Sequence, residues 1–556
     1  MRRWKQWRPA LLAVAFALAI LLSNCNSNSP STNQASNSPS SPTSPASPAA
    51  APPGALVFGA VGEPVNLEPG NITDNNSNYV QAQIYDRLLA FKPGSTDLEP
   101  SLATQWNASS DGKTWTFKLR PGIKFHDGTD LDAEAVKFNV DRWWNPKSEF
   151  GYRDAGKTYE IWGELFGGYK GTPNSLVQDV VTQGKDTVKF VLKQPFAAFP
   201  EAIATSYFGI ASPAAIKKAQ AKYGTPSSIA VGTGPFVFKE WVTGDRVVLT
   251  KNPNYWRGAP ASDQLVMRFI TDPSARLAQL RSGTIDITAD LSPDQLKEVQ
   301  QDAKLDAVFR PSLNVGFLAL NPSYEPFKKV EVRQAIALAI NKQEIVKAFW
   351  GQLGQNDPHF IPPLLKQFNS QTVNNYQYDP QKAKQILAAA GYPNGFNLQL
   401  FYMPVSRPYF PTPKPIAEAF AADLQAVGIR VSLQTKDWAA YLADRNKPPG
   451  YQAFMLGWTS DYGDPDGFYY PHFGPSSTAD IGNWKNDQVF KLLDQGRATS
   501  DKAARAKIYQ QIDEILNQQA LRIPIVHSQP LLAKRKNVNG WTPSPLGEEP
   551  LATVTK

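Results

Sequence analysis

A single cysteine, Cys25, stands in a chain of 556 residues, so no disulfide can form within one molecule. Histidine is nearly as scarce: it occurs only at 126, 359, 472 and 527, and never in the H-E-x-x-H spacing of a zinc hydrolase. No G-x-S-x-G turn is present to raise a serine nucleophile. There is also no run of lysine and arginine suited to tracking phosphates, so nucleic acid is not an expected partner. The two glycines of Val231-Gly-Thr-Gly-Pro235 lack the third glycine of a dinucleotide fingerprint and the Lys-Ser/Thr of a P-loop, and they read as a turn into a strand. No cofactor is expected from any of these patterns.

What is present is ample material for more than one core. A chain of this length exceeds a single compact domain. Apolar residues make up 42% and charged residues 19%, ordinary for a globular protein, whereas 47 prolines with 14 Trp, 20 Tyr and 29 Phe are on the rich side. The formal net charge is +8, and four of those units belong to Arg2, Arg3, Lys5 and Arg8, leaving +4 for the remainder. That balance indicates no polyanionic partner.

The N-terminus reads MRRWKQWRPALLAVAFALAILLSNC: basic residues, an apolar run from 10 to 22, then small polar residues. This is the layout of a secretory signal, and the run is shorter than the about twenty residues of a membrane span. Leu22-Ser23-Asn24-Cys25 resembles the bacterial lipoprotein signal, in which the thiol receives a diacylglyceryl group, although that pattern usually has Gly, Ala or Ser where Asn24 stands. We therefore expect a signal peptide over 1–24, lipidation at Cys25 and export to the periplasmic or extracytoplasmic face of the membrane. From 26 to 54 only Ser, Asn, Pro, Ala, Thr, Gly and one Gln occur. Nothing there can repay the entropy of folding, so 25–54 reads as a disordered tether.

Ordered structure is expected from Ala55. Thr114 to Leu119 alternates as a strand, Asp132 caps a helix running to about Trp143, and Thr187 to Leu192 is another strand. Between 397 and 468 strands alternate with helices: Leu398–Met403, a helix from Ile416 stopped at Gly428, a strand over 429–433, a helix from Trp438 to Arg445, and a strand from Ala453 to Trp458. Such alternation implies a largely parallel sheet, with ligands bound beyond the carboxyl ends of its strands. Arg407 follows the first of these strands and Asp461 the third.

The segment GWTSDYGDPDGF, residues 457–468, concentrates three aspartates. An EF-hand needs ligands at alternate positions and a glutamate at the twelfth, and this spacing supplies neither. Paired carboxylates of a hydrolase remain open, because they come from anywhere in a fold. Asp464 and Asp466, beside Pro465 and Gly467, read as turn residues. Asp461 differs: it sits just after a buried strand, beside Trp458 and Tyr462, where a carboxylate is costly unless a cation such as a ligand ammonium pairs with it.

Several stretches in one order, DGKTWTFKLRPGIKFHDG, VGTGPFVFKEW, LNVGFLALN, VRQAIALAINKQEIV, MPVSRPYFP and GWTSDYGDPDGF, resemble the periplasmic dipeptide- and oligopeptide-binding proteins of ABC importers, from about Leu56 onward. The resemblance implies an α/β two-lobed periplasmic-binding-protein fold with an extra subdomain on lobe one and a two-strand hinge. Lobe one would be 55–312, with the extra subdomain about 92–229, and 529–556 would return to it; lobe two would be 313–528.

The resemblance further implies that Asp461 holds a peptide ammonium and Arg407 its carboxylate, with Tyr409, Trp438 and Trp458 lining or backing the cleft. It also implies a non-enzymatic monomer, held at the membrane by its lipid only, that delivers short peptides to a permease and ATPase. The paired cysteines of some relatives are absent, and 409–415 is unusually rich in proline. Relatives also carry glutathione, nickel chelates, haem, opines or sugars, and His472 near the aspartates keeps a metal chelate in view.

Overall fold

The computed structural model describes residues 54–556. The signal segment, Cys25 and the tether as far as residue 53 lie outside the described residues.

Two sheets organise the described chain. The first has seven strands, in the spatial order Leu305–Phe309, Leu531–Arg535, Ile287–Leu291, Ala55–Ala60, Gln264–Phe269, Arg246–Lys251 and Phe236–Val242. The second has six, in the order Gly354–Gln355, Arg522–Ser528, Asn314–Leu320, Ala453–Thr459, Asn397–Phe401 and Arg430–Gln434. The central strands Ala55–Ala60 and Asn314–Leu320 are buried along their whole lengths, which explains their near-continuous apolar sequences. Between Ala55–Ala60 and Phe236–Val242 in the chain lies a separate four-stranded antiparallel sheet of Ala103–Ala108, Thr114–Leu119, Thr187–Leu192 and Val177–Thr182. Helix Ala133–Trp144 packs on it, and Asp132 caps that helix by accepting from the Ala135 amide at 2.9 Å.

The chain leaves the first sheet after Phe309, enters the second at Asn314, and returns between Ser528 and Leu531. These two crossings are tied together. The Arg310 amide donates to Pro530 O at 3.1 Å, and Asn314 both donates to Ser528 O at 2.8 Å and accepts from its amide at 3.0 Å. Separate apolar cores form on either side, one built wholly from residues between Leu313 and Val526.

The expectation of a largely parallel second sheet needs correction. Asn397–Phe401 is parallel to both Arg430–Gln434 and Ala453–Thr459, but Asn314–Leu320 runs antiparallel to its neighbours on both sides. Strand–helix alternation reports only the connections between sequential strands; the central strand comes from far earlier in the chain. The parallel trio still places the loops after Asn397–Phe401 and Ala453–Thr459 at one end of the sheet. No described helix is long and apolar enough to cross a membrane.

Candidate ligand cleft

A cavity of about 1410 Å³ opens where the two sheet systems face each other. Asn78, Tyr207, Asp290 and Arg310 line it from the first side; Arg407, Tyr409, Trp438, Trp458 and Asp461 line it from the second. The five residues singled out in the sequence are thus brought to one cavity.

Asp461 follows the end of strand Ala453–Thr459 in a loop pinned by Ser460, whose hydroxyl donates to Tyr462 O at 2.7 Å. Its Oδ1 accepts from the Tyr207 hydroxyl at 3.3 Å, and among the described residues no lysine or arginine lies within ion-pair distance. Burial, and then the nearby Glu164 carboxylate, push the Asp461 carboxyl up from 3.8 to about 6, against the lowering effect of the Tyr207 hydrogen bond. A carboxylate so placed favours a cation that enters from the cavity.

Arg407 is exposed and sits in a tight turn in which Arg407 and Phe410 exchange backbone hydrogen bonds of 3.1 and 2.9 Å. Its guanidinium donates to Ser406 O at 3.0 Å and lies 5.5 Å from the Trp438 ring centroid, and no carboxylate pairs with it among the described residues. Trp438 in turn stacks on Tyr441, with centroids 5.8 Å apart and planes 17° from parallel. Tyr409 is buried over a pair of facing glycines: Gly316 and Gly457 are partners in the sheet register. A Cβ on Gly457 would fall 2.2 Å from the tyrosine ring, and one on Gly316 would fall 2.7 Å from the Tyr409 carbonyl. Those glycines let the Arg407 loop lie down on the sheet. Trp458 donates from its indole to Gly467 O at 2.7 Å and meets the His472 ring edge-on at 5.1 Å.

Asp464 and Asp466 do shape the turn, since Asp464 accepts from the Asp466 amide at 2.9 Å. They also carry buried ion pairs that local sequence does not disclose. Arg505 grips Asp464 through both terminal nitrogens, the longer bond at 2.7 Å, and Arg497 grips Asp466 at 2.8 and 2.9 Å. The same loop touches the first side of the molecule, where Tyr462 packs into the core, and so does the helix Asp487–Ala498 that carries Arg497, whose carbonyl accepts from the Ala197 amide at 2.7 Å. His472 is buried among Phe317, Phe360 and Trp458, and among the described residues no group of three or more His, Cys, Asp or Glu side chains is arranged to hold a metal ion.

Sequence reading passed over Tyr207, Arg310, Arg445 and Asp480, all of which line the cavity. Arg445 had a local signal: it lies seven residues after Trp438 in one helix and so shares its face. Tyr207 had none, because a residue of the short 3-10 helix Ser206–Phe208 on the first side meets Asp461 only through tertiary folding.

The model of the bacterial extracellular solute-binding proteins, family 5 (middle), matches residues 97–480. The dipeptide-binding protein of Escherichia coli (strain K12) is 34% identical over 513 residues, 90% of this chain and 94% of that protein. Heme-binding protein A of Haemophilus influenzae is 33% identical, over 88% of this chain and 90% of that one. Among solved structures, HbpA2 from Haemophilus parasuis superposes with a TM-score of 0.82 at 30% identity, covering 90% of this chain and 99% of that one.

Proposed function

The chain belongs to the bacterial extracellular solute-binding proteins, family 5, and we propose that it is the extracytoplasmic receptor of an ABC importer that captures short, dipeptide-like peptides between two lobes. Lobe one is 55–312 with 529–556, including an extra subdomain near 92–229, and lobe two is 313–528; the paired crossings at 309–314 and 528–531 act as the hinge. The protein is a non-enzymatic monomer, exported by its signal segment and held at the membrane through Cys25. It hands its ligand to a permease and ATPase.

One observation carries this reading. Asp461 and Arg407 line the same cavity on loops at one end of the parallel strands, and neither has a partner of opposite charge among the described residues. Asp461 receives the peptide ammonium, and the planar guanidinium of Arg407 receives the carboxylate. Anchors at both ends also measure length, since an extended chain advances at most about 3.3–3.6 Å per residue. Tyr409 and Trp438 wall the carboxylate end, and Trp458 backs the floor.

The cavity's 1410 Å³ exceeds the about 300–1,000 Å³ of ordinary small-molecule sites. That volume favours, as a second reading, a bulkier solute such as a longer peptide or haem. Mass spectrometry of ligand released by denaturing the purified protein, followed by calorimetry with the candidates, separates the two. Recovery of dipeptides with reversible binding supports the first reading. Recovery of only a non-peptide solute refutes it.

A further inference from the structure

In the same cavity as Arg407, a cluster at the wall holds more positive charge than it neutralises. Asp480 is shared by two arginines: Arg445 Nη1 donates to its Oδ2 at 3.2 Å and Arg522 Nη2 to its Oδ1 at 2.7 Å. Arg522 and Asp480 are 1% and 5% exposed, whereas Arg445 is 21% exposed and, with Asp480 and His472, lines the cavity. The buried pairs behind the aspartate loop are matched one to one, Arg505 with Asp464 and Arg497 with Asp466. Here one carboxylate serves two guanidiniums, so the cluster keeps a net charge of about +1.

Its donors are also in surplus. Arg445 Nε and Arg522 Nε and Nη1 are buried and meet no acceptor within the protein, the Arg522 guanidinium lying over the Phe317 and Phe473 rings. His472 is only 4% exposed, and burial and then the two arginines hold its imidazole well below the usual range, so it adds no further positive charge to the cluster. Arg445 is the cationic member of this cluster that reaches the cavity, so the uncompensated charge faces a ligand there and describes an anion subsite. Arg407 lies 5.5 Å from the ring centroid of Trp438, which shares a helix and a helix face with Arg445, so both arginines stand on one side of the cleft.

We propose that Arg445, backed by Arg522 and His472, forms a second anion subsite that takes a ligand carboxylate other than the one held at Arg407. This rests on the peptide-receptor reading. The carboxylate has two possible sources: an acidic side chain on the carboxyl-terminal residue of a dipeptide, or the terminal carboxylate of a longer peptide that extends past Arg407.

The test is calorimetry on the full chain with Ala-Ala, Ala-Glu, Ala-Gln, Glu-Ala and Ala-Ala-Ala, repeated with Arg445→Gln and Arg445→Lys, plus glutarate followed by tryptophan fluorescence, since Trp458 touches His472. Arg445→Gln leaves Asp480 paired with Arg522, and Arg445→Lys restores the charge should the first variant misfold. We expect Ala-Glu to bind about tenfold tighter than Ala-Gln, with Glu-Ala showing no such gain. Arg445→Gln should abolish the preference and Arg445→Lys should retain part of it.

A gain for Ala-Ala-Ala that depends on Arg445, without one for Ala-Glu, assigns the subsite to a terminal carboxylate. If Ala-Ala binds through Asp461 but neither Ala-Glu nor Ala-Ala-Ala depends on Arg445, the subsite is refuted while the receptor reading stands. If no peptide binds but glutarate binds and is lost in Arg445→Gln, the subsite stands and the peptide reading falls. Failure of glutarate as well overturns the subsite.

Discussion

The hydroxyl of Tyr207 donates to Asp461 across the cavity at 3.3 Å, joining the short 3-10 helix Ser206–Phe208 of the seven-stranded side to the carboxyl end of a strand in the six-stranded side. Tyr207 is the one hydrogen-bond donor that Asp461 has from the opposite side among the described residues, and it is neutral. The carboxylate is oriented without being neutralised.

Removing either anchor should weaken a dipeptide without unfolding the protein. Asp461→Asn is expected to cost about 2–5 kcal/mol of binding, because a ligand ammonium is then left unpaired. Arg407→Ala should fall toward the lower end, since the guanidinium is exposed. Calorimetry with Ala-Ala measures both, and unchanged affinity in both variants refutes the two-ended grip.

Affinity should depend on pH through Asp461. Its carboxyl is raised from 3.8 to about 6, and only the ionised form pairs with an ammonium. Binding should therefore be strongest above pH 7 and lose about tenfold per unit below pH 6. Tyr207→Phe removes a hydrogen bond that lowers this value, so the inflection should move upward. Asp461→Asn should flatten the profile.

Glu201, in helix Phe199–Ile203, brings a second carboxyl against the Asp464–Arg505 pair of the opposite side. Burial and then Asp464 raise it from 4.5 to about 7. Below pH 4.5 it is protonated folded or unfolded; between 4.5 and 7 only the unfolded chain ionises, so stability is lost as pH rises through 7. Glu201→Gln should raise Tm at pH 8 and change it little at pH 4.5. Equal shifts at both values would contradict this assignment.

Arg505 holds Asp464 with both terminal nitrogens in a buried setting. Arg505→Met should destabilise the protein by about 3–5 kcal/mol, because it strands a buried carboxylate, and adding Asp464→Asn should recover part of the loss. Urea unfolding of the single and double variants checks this.

Gly457→Ala places a methyl 2.2 Å from the Tyr409 ring. The ring and the Arg407 loop above it must shift, which should cost about 1–3 kcal/mol in stability and weaken Ala-Ala binding. Retained affinity would show that the loop's seat on the sheet does not position Arg407.

Much of the site was legible because it follows strand ends. Asp461 and Arg407 each come within a few residues of an apolar strand, and hydrophobic alternation locates such strands from local sequence alone. Arg505, Arg497, Arg522 and Tyr207 were not legible, since each meets its carboxylate from 31 to 254 residues away. Charge complementarity at that separation leaves no periodic trace.

Local composition and periodicity alone determined that basic residues precede an apolar run at 10–22 and that only small or polar residues fill 26–54, that strands and helices alternate through 397–468, and that Asp461 and Arg407 stand at loops after strands. Tertiary structure alone decided that the central strand Asn314–Leu320 runs antiparallel to its neighbours, that Asp464 and Asp466 are neutralised by distant arginines while Asp461 is not, and that Asp480 is shared between Arg445 and Arg522. The physical reason is one of range. Backbone preference and burial patterns act over a few residues, whereas the charge left over in a buried cavity is a sum over groups that only the completed fold brings together.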